Sequence, residues 1–269
     1  MTWQVIARKD IRYVLGERLV KLLLLLLAVV ILIGAYIYPL FGDEPITTAG
    51  FSGFIDGWLT TVIPLLGIVL GYDAIVRDRQ SGALYLTLSL PHTRRDIVLG
   101  SMIARTGMLA IAIIGAMGIA GILVVYPFGD LELLAFLAFV ALTLVFGAIW
   151  TGIGIAVSII ATTKQRALIL GIGIFIVFAT AWDGIRDGFE FALNSAGVID
   201  GNLPNVVEFF FALEPGQSFE RVIAGFIDPG GIVDGPWYLG EWVALVILAL
   251  WLLIPLPAAY HHFASGDLS

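Results

Sequence analysis

Six stretches of the chain, at 22–42, 57–72, 106–129, 133–163, 167–182 and 242–266, carry no Asp, Glu, Lys or Arg. A helix needs about 20 mostly apolar residues to cross a bilayer. The two shorter stretches reach that length with flanking apolar residues, with Asp56 and Asp73 at the interfaces. The pattern predicts six membrane-spanning helices at 20–40, 54–74, 102–126, 133–160, 167–184 and 241–260. The fourth stretch is long enough for a tilted helix and lacks the polar turn that two crossings would need. The first is too long for a signal-peptide core, and no A-x-A-like site closes it.

Shorter elements lie between the spans. In 2–19, Trp3, Ile6, Ala7, Ile11, Val14 and Leu15 recur at three- and four-residue spacing, with Gln4, Arg8, Lys9 and Arg12 on other faces. This spacing predicts an amphipathic elbow helix lying along the membrane surface. Between the second and third spans, "IVRDRQSGALYLTLSLPHTRRDIVLG" (75–100) breaks the apolar pattern. Residues 83–90 form a short mixed segment that ends at Pro91. Thr93 with Asp96 three positions later resembles a capping box, and the helix it starts would run on into the third span.

Composition and charge sharpen this picture. The chain has 269 residues, is 59% hydrophobic and 13% charged, and contains no cysteine. Its mean hydropathy of +1.00 is far above that of soluble domains. The formal net charge is -7, yet residues 75–100 hold four arginines and two acids. Twelve of the 14 Lys and Arg fall in 1–21, 75–105 and 161–166, on alternate connections. By the positive-inside rule this predicts both termini and the 75–100 insert in the cytoplasm. The same rule accounts for every arginine of the insert, so residue types alone leave it either a plain connector or a docking surface.

Several chemistries find no support. As drawn, the spans keep Asp, Glu, Lys, Arg and His out of their middle thirds, which disfavours a proton- or sodium-coupled carrier. There is no H-E-x-x-H motif. His92, His261 and His262 lie at or beyond the cytoplasmic edge, and the adjacent pair reads as a solvated tail rather than a metal site. No G-x-x-x-x-G-K-[ST] phosphate loop occurs, and Gly152, Gly154, Gly171 and Gly173 sit inside apolar spans where no phosphate could lie.

Small residues bear on packing. Gly67 and Gly71 form G-x-x-x-G in the second span, and Gly115, Gly118 and Gly121 line the third; both patterns suit close helix contacts within one chain or between two. Pro64 is expected to kink the second span. The 185–240 segment is acidic, but its "VVEFFFAL" and "FERVIAGFI" stretches are too short to span, which predicts amphipathic external helices. Within it, Arg221 beside Glu220 reads as an ion pair, with a substrate gate as the alternative.

The stretch from Pro64 to Arg105 resembles the signature region of ABC-2-type transporter permeases. It is most similar to the branch containing the permease for copper-centre maturation of nitrous oxide reductase. Asp78, Arg79, Gln80, Gly82, Leu84, Ser89, Pro91, Thr93, Arg94 and Gly100 occupy matching places. Asp78 and Gln80 stand where glutamates are usual, Ala83 replaces threonine and Ser101 replaces lysine. Residues 7–18 are similar to the family's elbow helix, and 213–222 resemble its Leu-x-Pro segment before the last span.

The resemblance implies an all-α polytopic membrane protein forming one permease domain over 1–269: six transmembrane helices, the elbow helix at 1–19, and short external helices. It further implies a multi-pass plasma-membrane subunit of an ATP-binding-cassette transporter, paired with a second permease chain as a homodimer or with a similar chain. A separate ATPase subunit would bind the ATP and magnesium, leaving this chain without a cofactor, metal or catalytic residue; nucleic acid is not an expected partner. The 75–100 insert would then carry the coupling helix. Arg77, Asp78, Arg79, Gln80, Gly82, Leu84, Leu88, Pro91 and Arg94 are its contact residues, beside Trp3, Arg8, Lys9 and Arg12 of the elbow. In that reading Gly82 allows close approach, and Leu84 and Leu88 share the docking face. The alternatives are a secondary carrier and a non-transporting membrane scaffold.

Overall fold

The computed structural model describes residues 3–42, 44–89, 93–126 and 129–265. Among them no strand occurs, only an isolated bridge between Thr47 and Asp130. The chain is an all-α polytopic membrane protein. Five helical segments are long and apolar enough to cross a bilayer, at Arg18–Phe41, Gly50–Gln80, Arg94–Val125, Leu133–Ile160 and Glu241–Ala264. A bent pair, Lys164–Ala179 and Trp182–Ser195 with 52° between its halves, passes the same length and polarity test together, as a broken span or a re-entrant loop.

The elbow helix is α1 (Trp3–Val14), and the first span is α2 (Arg18–Phe41). Along α2, Leu27, Ile31, Ala35 and Tyr38 are buried at helical spacing, while Leu22, Leu25, Val29, Ile33 and Leu40 face outward. Lipid accepts that outward face. The second span is α3 (Gly50–Gly71), whose helix continues past Pro64. It is followed by two short helices, α4 (Val76–Gln80) and α5 (Ala83–Leu88).

The third span, α6 (Arg94–Val125), opens on the expected capping box. The amide of Asp96 donates to Thr93 Oγ1 at 3.1 Å, and the amide of Thr93 donates to Asp96 Oδ2 at 3.0 Å. The fourth span, α7 (Leu133–Ile160), has the bounds that the pattern gives. The fifth predicted span, at α8 (Lys164–Ala179), stops short of a full crossing and bends into α9 (Trp182–Ser195). The sixth predicted span is α12 (Glu241–Leu253), which breaks at Ile254 before α13 (Pro255–Ser265).

The bundle is built around α3 and α7. A Cβ on Gly67 would lie 2.6–2.7 Å from Trp150 and Thr151, and one on Gly71 would lie 2.6 Å from the backbone of Gly154 and Ile155. The G-x-x-x-G pair therefore lets two helices of the same chain touch backbone to backbone. Gly121 likewise packs on Phe136, whereas Gly115 and Gly118 have open space in front of them.

At one end, α10 (Asn205–Ala212) and α11 (Pro215–Phe226) form the short helices expected before the last span. Phe219 of α11 stacks on Phe146 of α7, with ring centroids 4.5 Å apart. Arg221 departs from expectation. It donates to the carbonyl of Leu239 at 2.9 Å and pairs with Glu208 at 3.4 Å, while Glu220 instead meets Thr60 Oγ1 of α3 at 3.1 Å. On a helix, consecutive residues point about 100° apart, so neighbours in sequence reach different partners. The opposite end gathers α1, α4, α5, α13 and the adjoining ends of α6, α7 and α8.

Candidate functional site

The two short helices are fastened to that end of the bundle by their own polar atoms. The amides of Ile75 and Val76, at the start of α4, both donate to Ser158 Oγ of α7, at 2.9 and 3.0 Å. Arg79 donates to the carbonyls of Ala161 and Ile159 at 3.0 and 3.1 Å, closing the C-terminal end of α7. Gln80 Oε1 accepts the amide of Lys164, the first residue of α8. A five-residue helix cannot hold itself together; these contacts hold it in place.

Charge organises the rest. Arg105, 1% exposed, lies about 17 Å along α6 from Arg94, at ~1.5 Å per residue. Its guanidinium grips Asp10 of α1 through two bonds, at 2.8 and 3.1 Å. It also reaches Asp73 Oδ1 at 2.8 Å and the carbonyl of Leu70 at the end of α3. Arg77 of α4 stacks on the Tyr13 ring, 3.5 Å from its centroid. It pairs with Asp78 at 3.1 Å, Asp10 at 3.6 Å and Asp73 at 3.9 Å. The network reaches solvent through Lys9–Asp78 at 3.0 Å and Lys164–Asp73 at 3.4 Å.

Elbow, second span, third span and α4 thus share one largely buried set of charges. Removing one partner from such a set leaves an uncompensated charge and costs about 3–5 kcal/mol. The arrangement ties α4 to α1, α3 and α6 in a set orientation, because fork-shaped charge pairs fix orientation as well as distance. Burial and the Glu17 hydrogen bond raise the pKa of Tyr13, so its ring meets Arg77 as a neutral phenol.

The residues expected at this site are not all on one surface. Arg77, Asp78, Arg79 and Gln80 come together as described. Arg8, Lys9 and Arg12 are exposed on the elbow, and Trp3 is half-buried. The carbonyl of Trp3 lies against Gly100, where a Cβ would come within 2.9 Å. Arg94 donates to the carbonyl of Phe263 and lies 5.2 Å from that ring's centroid.

Leu84 corrects the expected docking face. It is 1% exposed and packs with Ile6, Ile97, Val98 and Phe263 of its own chain. Leu86, 73% exposed, is an apolar side chain of α5 that faces outward. Gly82 has open space in front of its Cβ position, and its φ of +74° calls for glycine. Pro91 and the side chain of Leu88 lie outside the described residues.

Asp10, Tyr13, Asp73 and Arg105 escaped the sequence reading. Arg105 counted only as a topology charge, and Asp73 only as an interface residue. The capping box held the missing signal. A helix that starts at Arg94 carries Arg105 three turns inward, where a lone cation needs acidic partners.

Comparison with known proteins agrees with this architecture. The sequence profile of the ABC-2 family transporter proteins matches residues 4–268. The chain is 27% identical over 225 residues to the "Probable ABC transporter permease protein NosY" of Pseudomonas aeruginosa, covering 80% of this chain and 76% of that one. A protein of the same description from Stutzerimonas stutzeri is 24% identical over 218 residues, with 80% and 76% covered. A match over nearly the whole length, on a bundle whose charged junction ties the elbow to the second and third spans, makes the chain a member of the ABC-2 transporter family, a multi-pass membrane permease subunit.

Proposed function

We propose that the chain moves its substrate with energy from ATP hydrolysed by a separate nucleotide-binding subunit. That subunit docks in the cytoplasm against α4, α5 and the exposed face of the elbow helix. Two permease chains work as a pair in the plasma membrane, with both termini of each in the cytoplasm. The observation that carries this reading is the junction at Arg105. A push on α4 reaches Asp78 and Arg77, then Asp10 and Asp73, and so moves the elbow, α3 and α6 together. ATP and magnesium belong to the partner, and this chain contributes no catalytic residue.

The test is co-expression of the tagged chain with the ATP-binding-cassette ATPases of its own organism, each in turn. One ATPase should stay with the chain through purification, and ATP turnover in proteoliposomes should depend on both. An ATPase-free preparation of the chain that hydrolysed ATP, or a chain that retained no ATPase, would overturn the reading.

A further inference from the structure

The α10–α11 hairpin reaches far into the bundle. At its outer end Phe226 of α11 packs edge-on against Trp242 in the first turn of α12, with ring centroids 4.7 Å apart. At its tip the carbonyl of Leu213 accepts the indole N–H of Trp251 at 2.8 Å, nine residues further along α12. Those residues span about 14 Å at ~1.5 Å each, nearly half of a ~30 Å hydrocarbon core. The other contacts of α11 agree. Phe219 stacks on Phe146, midway along α7. Glu220 meets Thr60 about 15 Å from the start of α3.

This inner part of the hairpin is acidic. Glu214, 4% exposed, accepts the amide of Gln217 at 2.7 Å, and Gln217 Nε2 donates to Asp183 Oδ1 at 3.0 Å. Asp56 of α3, Asp183 of α9 and Glu214 are the charged groups that face Glu220. Among the described residues no Lys or Arg pairs with these four carboxyls, since Arg186 and Arg221, the basic residues of this end, both turn to Glu208 of α10. Helix α7 carries no charge, Lys164 and Arg166 lie at the far end of α8, and Glu241 of α12 lies against Gly225 at the outer end of α11. A cavity of ≈ 30 Å³ between Thr60, Thr180, Asp183, Glu214, Gln217 and Glu220 has room for a water. An ionised carboxylate at such depth without a cation is costly, so burial keeps these groups protonated above the ordinary carboxylate range.

We propose that the α10–α11 hairpin is a pH-operated plug. With Glu214 and Glu220 protonated it stays seated against α3, α7 and α9. Their ionisation sets like charges around the small cavity, and the tip loosens and opens that cavity to solvent at this end of the bundle. The inference rests on the depth of the hairpin and on the absence of a counter-ion among the described residues, and it does not depend on ATP-driven transport.

The test is thiol labelling of Ser218→Cys in the purified full-length chain, which has no cysteine of its own, held in nanodiscs. Ser218 is fully buried and its hydroxyl donates to the carbonyl of Ala212 at 2.9 Å, so a cysteine there reacts only when the tip opens. Ser195→Cys, at an exposed position, corrects for the pH dependence of the reagent itself. The rate at 218 relative to that at 195 should rise at least tenfold from pH 5 to pH 8. Adding Glu214→Gln and Glu220→Gln should hold the ratio at pH 8 to its value at pH 5. A ratio that stayed constant between the two pH values would overturn the proposal without reference to either glutamate variant. So would an equal rise in the chain that lacks both glutamates.

Discussion

Arg105 and Asp10 stand ninety-five positions apart in the chain, yet they meet as a two-point pair, Nε to Oδ2 at 2.8 Å and Nη2 to Oδ1 at 3.1 Å. The elbow helix is thereby tied to the third span by a contact that solvent barely reaches. Asp10→Asn should lower the thermal stability of the purified chain by an amount on the order of 3–5 kcal/mol, since it leaves a buried guanidinium short of charge. Arg105→Lys should not restore stability, because a point charge cannot replace the fork. Thermal unfolding in detergent measures both, with the exposed Arg8→Gln as a reference expected to shift little. If Asp10→Asn and Arg8→Gln behaved alike, the pair would not anchor the elbow.

A second prediction concerns pH at the other end of the bundle. Burial, reinforced by the negative charge of Asp56, pushes the Glu220 carboxyl up to about 7. Burial also pushes Glu214 up to about 7. A carboxyl whose folded pKa exceeds its unfolded value of ~4.3 holds its proton more tightly when folded. Its stabilising contribution is therefore full below about pH 4 and is lost as the pH rises to about 7. For Glu220 the loss is of order 3 kcal/mol. Melting curves at pH 5 and pH 8 should show the unaltered chain weakening with pH, and Glu220→Gln should remove about half of that slope. An unchanged slope in Glu220→Gln would refute the assignment.

What was legible in the sequence depended on the range of the forces involved. The bounds of α7 and the Thr93–Asp96 capping box rest on signals a few residues long, and both appear as read. The bend between α8 and α9 depends on neighbours distant in sequence; for instance, the Trp182 indole donates to the carbonyl of Phe211 at 3.0 Å. Leu84 and Leu86 are two positions apart in one short helix, and spacing alone does not say which faces inward. Arg105 reads as one more basic residue until Asp10 and Asp73 stand beside it.

Topology gives a third prediction. Glu44, Ser89 and Ser195 are exposed. Cysteines placed singly at these positions in a chain that has none should react with an impermeant thiol reagent from outside the cell at 44 and 195 only. The basis is the clustering of basic residues at the elbow end. External labelling at 89 would invert the orientation and separate α4 and α5 from any cytoplasmic ATPase.

The last prediction separates folding from docking within α5. Leu84 is 1% exposed inside a cluster with Ile6 and Phe263, and Leu86 is 73% exposed. A charge at Leu84 would be buried without a partner, so Leu84→Asp should damage the chain itself, seen as lower membrane yield and a lower melting temperature. A charge at Leu86 meets solvent in the free chain and should leave melting unchanged. If α5 is a docking surface, that same charge lies at a desolvated contact, where loss of a central apolar anchor costs about 2 kcal/mol or more. Leu86→Asp should then lower the affinity for the ATPase roughly thirtyfold, while Arg95→Gln, an exposed charge on the first turn of α6, should change it only slightly. Titration of the ATPase against each variant in nanodiscs, at matched folded fraction, gives the numbers. A Leu86→Asp chain that bound the ATPase as well as the unaltered one would place the docking surface elsewhere and leave α5 a connector.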